Sequence, residues 1–459
     1  MILTKDKGFY RSLLSLSVPI ALQNLITFSV NLADNVMIGA LGDAAISGVY
    51  MGGQIQTLLQ IFSVGIESAI LVLAAQYWGR GDRPAVSRIA SIGLRASVLF
   101  GLLLTAVCAA APRFVISLFT KDDSIISVGA EYLGIVAYSF VFFCITQALI
   151  AAMRSVESAR IGFYVSLISL ICNLALNYLL IFGKLGLPAL GVRGAAIATF
   201  ISRVLEAVIM VVYTLFIDKR LKFSPSELLK LDRVLLKDFI KYGTPIVLGQ
   251  LVWAVNMMSN SAIMGRQTAE GVVAGLSIAN ALHNLTYVVM NGMSGAVGII
   301  TGKTIGEGKE KLMREYAVTV QALFLALGVL TGVTVRLLRD PFISLYSVSA
   351  AAAEQARSLI NVITVSVIGT CYQAACLSGL VKSGGDTSFV LKNDAIFVFG
   401  VVIPSALIAT RLGLAPWIVF ACLKCDQILK CFVAAVKINR FDWLKNLTRD
   451  AAQSQGKAT

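Results

Sequence analysis

The stretch PIALQNLITFSVNLADNVMIG, Pro19 to Gly39, decides how the rest of the chain is read. It is apolar, compatible with a helix, and long enough to cross roughly 30 Å of hydrocarbon at about 1.5 Å per residue. One carboxylate, Asp34, lies well inside it. A charge held in hydrocarbon is costly, so a carboxylate kept there marks a functional site by default. The pattern returns at Pro245 to Gly265, PIVLGQLVWAVNMMSNSAIMG. Pro19 falls on Pro245, Leu22 on Leu248, Leu25 on Leu251 and Gly39 on Gly265, at an offset of about 226 positions. Asn260 stands in the second copy where Asp34 stands in the first. The chain therefore reads as two related halves, of which only the first keeps the acid.

Composition agrees with a membrane protein. Of 459 residues, 57% are apolar and 14% charged, and the mean hydropathy is +0.81. The start of the chain is short and basic. The apolar run after it continues too far for a signal peptide and lacks a small-residue cleavage site, so no cleaved leader is expected. A net charge of +14 fits basic cytoplasmic loops better than a nucleic-acid surface. Cys108, Cys144, Cys172, Cys371, Cys376, Cys422, Cys425 and Cys431 are scattered through apolar stretches, and we read them as packing residues.

Hydropathy divides the chain into about twelve spans. In the first half they lie near 13–40, 48–76, 88–111, 129–153, 161–183 and 191–217. In the second they lie near 240–265, 272–301, 314–338, 356–381, 388–411 and 415–438. The expected organisation is an N-terminal bundle over 1–217, a cytoplasmic linker over 218–241, a C-terminal bundle over 242–438 and a tail over 439–459. Ser224 to Glu227 reads as the start of a short amphipathic helix in the linker. Basic residues gather in alternate loops, among them Arg80, Arg83, Arg154, Arg160, Lys303 and Lys309, and at both ends of the chain. That bias puts both termini in the cytoplasm. Further repeat marks are Gly79-Arg80-Gly81 against Gly306-Glu307-Gly308, and Leu185-Gly186-Leu187 against Leu412-Gly413-Leu414. An even number of spans per repeat inserts both halves the same way up, related by an axis along the membrane normal.

Asp34 is the first candidate for chemistry, as a proton or cation site, with Asn31 one turn before it. Asn173 and Asn177, spaced i, i+4 in span 5, share a helix face. Gln147 in span 4 and Thr199 in span 6 are placed to join them in a polar chamber. Glu67, Arg95, Arg203 and Glu206 are intramembrane charges that either pair or line a cavity, as are Lys392, Asp394 and Lys424. Asp426 and Lys430 have the spacing of an intrahelical pair. His283 is the only histidine. Neither HExxH nor GxxxxGK[ST] occurs, so neither metalloprotease chemistry nor P-loop ATP hydrolysis is expected. The protein is not expected to be an enzyme or to carry a cofactor, and an ion gradient is left as the energy source.

These residues resemble the multidrug and toxic compound extrusion (MATE) family. The opening helix with Pro19, Gln23, Asp34 and Gly39 is similar to its first span. The run Ala75 to Asp82 resembles the loop after its second span. Cys172 to Asn177 and Gly191 to Thr199 resemble its spans 5 and 6, and Ser383 to Thr387 with Pro404 its span 11 region. Trp443 to Thr448 looks like the tail of bacterial members. The resemblance implies an all-α integral membrane protein of twelve transmembrane helices, in two repeated six-helix bundles forming a V. It implies export of cationic amphipathic compounds from the cell, across the inner membrane, in exchange for protons or sodium ions. Asp34, Asn173 and Asn177 then match the family's first-half cation site, with Gln147 and Thr199 beside it. Many members carry a second-half carboxylate pair in spans 7 and 10. Here those spans offer Asn256, Asn260, Thr370, Cys371 and Gln373 instead. The sequence therefore favours coupling through the first half.

Gln23, Asn256, Asn260, Tyr138 and Met257 are the substrate-binding candidates. Phe28, Met37, Trp253, Met258, Tyr287 and Met290 are further members of an adaptable apolar wall. The expected partners are a small cationic substrate and membrane lipid, with no nucleic acid, and a monomer is expected. The alternative is a lipid-linked precursor flippase of the same superfamily, which needs a basic cavity built from Arg95, Arg203, Lys392 and Lys424.

Overall fold

A computed structural model describes residues 3–221, 223, 230, 232–346 and 348–449. The expected helix start at Ser224–Glu227 and the side chain of Asn31 lie outside the described residues. The chain is all-α. Its helices are α1 (Lys7–Gly39), α2 (Asp43–Arg80), α3 (Arg83–Ala110), α4 (Asp123–Ser155), α5 (Arg160–Phe182) and α6 (Val192–Ile217), followed by α7 (Arg233–Gly265), α8 (Val272–Gly306), α9 (Glu310–Ile343), α10 (Ala350–Lys382) and α11 (Thr387–Arg411). Among the described residues, these 11 are long and apolar enough to cross a membrane.

The twelfth expected span is present as a broken helix, α12, made of Pro416–Lys424 and Asp426–Arg440 with Cys425 between them. Lys424, Asp426 and Lys430 crowd its middle. Several helices also outrun their hydropathy limits. α7 begins at Arg233, inside the stretch expected to be linker. Hydropathy marks where a helix meets hydrocarbon, and backbone hydrogen bonding continues past that point into polar sequence.

Pro19 and Pro245 both sit inside helices, α1 and α7. Each removes the hydrogen bond its N–H would give to the residue four earlier. The chain's division into compact units falls beside these prolines. One unit is Leu22–Gly243, and the other is Met1–Ala21 with Thr244–Thr459. α1 and α7 therefore each change units next to their proline. In α11, the turn Val398–Val402 is π-helical and runs up to Pro404. The wider turn accommodates a residue with no N–H and a bulky ring.

In the unit Leu22–Gly243, α2, α3, α4 and α6 enclose an apolar core with Ile116, Leu133 and Phe140 at its centre. In the other unit, α8, α9, α10 and α12 surround Leu359, Ile360, Ile363 and Phe420. Small residues let these helices touch, because lipid supplies no hydrophobic drive between helices and close packing must serve instead. Gly292 of α8 is one such contact, since a Cβ there would lie 2.7 Å from the Cβ of Ala21 and 2.8 Å from its backbone nitrogen. Gly292→Ala overpacks this seam and should cost about 1–3 kcal/mol. A lowered thermal midpoint of the purified protein checks this, and an unchanged midpoint contradicts it.

The same unit holds both ends of the described chain. At the start, the Thr4 N–H donates to Thr319 Oγ1 at 2.9 Å, and the Tyr316 hydroxyl donates to the Asp6 carboxylate. At the other end, Trp443 is fully buried, and the Lys445 N–H donates to the carbonyl of Gly384 at 2.9 Å. Lys437 and Lys445 each place Nζ 2.8 Å from the Asp386 carboxylate. Burial works to raise the Asp386 pKa, but the two ammonium groups outweigh it and hold the carboxyl below its usual range. A lowered folded-state pKa gives stability that is present above the unfolded value of about 4 and lost as pH falls through the folded value. Asp386→Asn should therefore lower stability at neutral pH and flatten its fall in acid, read as thermal midpoint against pH. An acid limb as steep as that of the parent protein contradicts the assignment.

Candidate functional site

Asp34 lies in the C-terminal leg of α1, partly buried. α5 presents Asn173 and Asn177 one turn apart, and both are buried. Asn177 Nδ2 donates to Asp34 Oδ1 at 2.5 Å and to Asn173 Oδ1 at 3.1 Å. The i, i+4 spacing thus lets one amide, that of Asn177, donate both to the carboxylate and to the neighbouring amide oxygen. Asn177 Oδ1 is itself buried with no hydrogen-bond partner among the described residues. A buried, unsatisfied carbonyl oxygen is costly, and a donor or a cation at that point would relieve it.

Tyr132 of α4 extends this cluster. Its phenol is close enough to Asp34 to feel the carboxylate charge and adjoins Thr199 of α6. Gln56 Nε2 of α2 approaches the Tyr132 hydroxyl at 3.4 Å. Thr199 neighbours Tyr132, and among the described residues no hydrogen bond joins either Thr199 or Gln147 to Asp34 or to the two asparagines. Arg203 is the cation whose charge reaches Asp34. Its guanidinium is matched by Glu206, with Nη1 2.9 Å from Oε2, and lies over the Phe143 ring at 4.8 Å. With Asp34 ionised, and Arg203 matched by Glu206, the formal charge of the site is −1. Oxygen donors surround that charge, which suits a proton or a small hard cation.

Gln23 does not belong to this cluster. It is buried, and its Oε1 accepts from Arg154 Nη2 at 2.8 Å. Arg154 in turn lies 3.9 Å from Glu67, whose Oε1 is buried without a hydrogen-bond partner among the described residues. A Cβ on Gly162 would meet Gln23 Oε1 at 2.6 Å, so the glycine makes room for this amide.

The second half is arranged differently. Asn260, the counterpart of Asp34, turns back on its own helix, donating to Asn256 O at 2.8 Å. Thr370 Oγ1 donates to Gln427 Oε1 at 3.0 Å, and Gln373 donates to the same oxygen. Lys430 pairs with Asp426, as its spacing predicts, at 3.0 Å, but it also bridges to Asp394 of α11 at 2.9 Å. His283 is buried edge-to-face against Tyr287, with 5.0 Å between ring centroids. Met257, Met258, Trp253 and Tyr138 are exposed, while Met290 is packed in the interior. Of the four basic residues expected of a flippase cavity, Arg95 and Arg203 are committed elsewhere. Arg95 Nη2 donates to the Lys230 carbonyl at 2.9 Å, Arg203 pairs with Glu206, and Lys392 is exposed.

A family model described as MatE matches residues 19–179 and 245–408. The probable multidrug resistance protein NorM of Agrobacterium fabrum is 24% identical over 315 residues, which are 68% of this chain and 67% of that protein. The probable multidrug resistance protein NorM of Thermotoga maritima is 26% identical over 302 residues, 66% of this chain and 64% of that protein. The chain thus spans about two thirds of the length of the curated relatives it matches. Among solved structures, a MATE protein in the bent conformation superposes with a TM-score of 0.84 at 18% identity, over 95% of this chain and 99% of that one. A mutant of the Vibrio cholerae MATE transporter VcmN gives 0.85 at 16% identity, over 94% and 97%. At these identities the likeness to solved structures establishes the fold.

Proposed function

The chain belongs to the MatE family of membrane transporters, which are not enzymes, and from that premise we propose that it exports cationic amphipathic compounds in exchange for protons or sodium ions, by alternating access, with Asp34 as the coupling site. It works as a monomer in the inner membrane, with both termini in the cytoplasm. The multidrug resistance names of its relatives support the substrate class.

The observation that carries the coupling reading is the carboxylate–amide contact between Asp34 and Asn177 within a site of net charge −1. An amide is suited to a group that changes charge. Its N–H2 donates to a carboxylate oxygen, as here, which suits the ionised form. If Asp34 takes up a proton, the amide can turn and accept from the new O–H through Oδ1, the atom now lacking a donor. Neutralised, Asp34 no longer draws a cationic substrate; ionised, it does. Loading and release of one cation thereby bias the conformation in opposite directions.

The test uses proteoliposomes and a fluorescent cationic dye, with proton and sodium gradients imposed separately. One of the two gradients should drive dye against its own gradient. If neither does, the antiport reading fails.

A further inference from the structure

In the unit that contains the second half, α10 and α12 flank a cavity of about 530 Å³ that is open to the surface. Such a volume falls within the roughly 300–1,000 Å³ typical of small-molecule sites. Val362, Val365 and Trp417 form its apolar wall, and Ser358, Asn361 and Lys424 are among its polar lining. No Asp or Glu lines it among the described residues. The three polar groups offer donors in excess of acceptors. Asn361 spends its Oδ1 accepting from Arg339 Nη1 at 2.8 Å, and no acceptor among the described residues takes its N–H2. Lys424 makes no hydrogen bond or ion pair among the described residues, and its ammonium lies 5.5 Å from the centre of the Phe420 ring.

Lys424 has no acid in direct contact, because the two acids of this region, Asp394 and Asp426, both lie against Lys430. Asp426, the acid that acts on it, is held by Lys430 at 3.0 Å and by Gln427 at 3.1 Å. Arg339, beside Asn361, is paired with Asp340 at 2.8 Å. An ammonium on an intramembrane helix with no partner in direct contact is costly, and an anion bound against it lowers that cost. Val365 and Trp417 are 59% and 48% exposed, so the cavity's apolar wall reaches the surface of these spans.

We propose that this cavity binds an anionic amphiphile, with its acyl chain along Val362, Val365 and Trp417 and its acid group on Lys424 and the Asn361 amide. The occupant is a long-chain carboxylate or the acidic end of a membrane lipid, which share this chemistry. The site is separate from Asp34 and of opposite polarity, so the two accounts stand or fall apart.

The experiment uses the full chain in nanodiscs of zwitterionic lipid and reads quenching of tryptophan fluorescence by a brominated fatty acid. Saturable quenching is expected, with the part due to Trp417 lost in Trp417→Phe. Lys424→Gln should weaken binding on the order of tenfold, through loss of a charge-assisted hydrogen bond, and Lys424→Arg should retain it. Ala421→Leu, which fills the cavity, should weaken binding with the lysine intact, so the test survives a poorly folding Lys424→Gln. A brominated alkyl-trimethylammonium of the same chain length should quench far less. Nanodiscs containing brominated phosphatidylglycerol distinguish the sources. Quenching there that the free fatty acid cannot displace assigns the site to lipid, and displacement assigns it to the single-chain acid. Equal quenching by the ammonium probe, or unchanged binding in both Lys424→Gln and Ala421→Leu, overturns the proposal.

Discussion

Asp34→Asn should insert and fold like the parent protein yet export dye no faster than protein-free vesicles under either imposed gradient. The substitution is nearly isosteric. An asparagine at position 34 still offers Oδ1 to the Asn177 amide, so the α1–α5 contact now made at 2.5 Å keeps a donor and an acceptor. What disappears is the charge. The site falls from a net −1 to neutral, because Arg203 and Glu206 already cancel. A neutral site has nothing to exchange, so coupling should vanish while expression and thermal stability stay within about 1 kcal/mol of the parent. Retention of gradient-driven export would remove Asp34 from the mechanism. Asn177→Leu makes a useful companion, since it keeps the charge but removes the group that serves both protonation states. It should shift the pH or sodium dependence of export without abolishing it.

Arg154→Met should destabilise the protein more than either Gly292→Ala or Asp386→Asn. Arg154 Nη2 donates to Gln23 at 2.8 Å, and Nη1 lies 3.9 Å from Glu67. The two side chains of this ion pair are only 18% and 14% exposed. Removing the cation leaves Glu67 buried beside an amide that has lost its donor. Breaking a buried pair from one side typically costs about 3–5 kcal/mol. A second change, Glu67→Gln, takes away the stranded charge and should recover part of the loss. A double-mutant cycle in thermal or denaturant unfolding measures the coupling. Additive effects of the two substitutions would show that the pair contributes little.

Much of this architecture was legible in the sequence because hydrocarbon thickness imposes it. Runs of apolar residues and the returning proline–glycine frame of Pro19 to Gly39 placed the spans, and the spacing of Asn173 and Asn177 put both on one face of α5. Asp34 stood out because a carboxylate is rare in such surroundings. Tyr132 and Gln56 were not visible in the same way. Each is an ordinary residue of an apolar helix, and only the packing of α4 and α2 brings them together. Gln23 read as a substrate contact because its partner, Arg154, is 131 positions away. The bridge from Lys430 to Asp394 escaped for the same reason, since i, i+4 spacing reveals partners on one helix and none on the next. The exchange of units beside Pro19 and Pro245 could not be inferred from hydropathy, which is blind to which neighbour a helix leg packs against.

The most direct test counts the cations that leave the purified protein when a saturating cationic dye is added in weakly buffered solution, using a pH electrode and a sodium electrode together. If Asp34 swaps one cation for another, the parent protein should release about one proton or one sodium ion per chain, and Asp34→Asn none. Equal release from the two proteins would contradict that exchange.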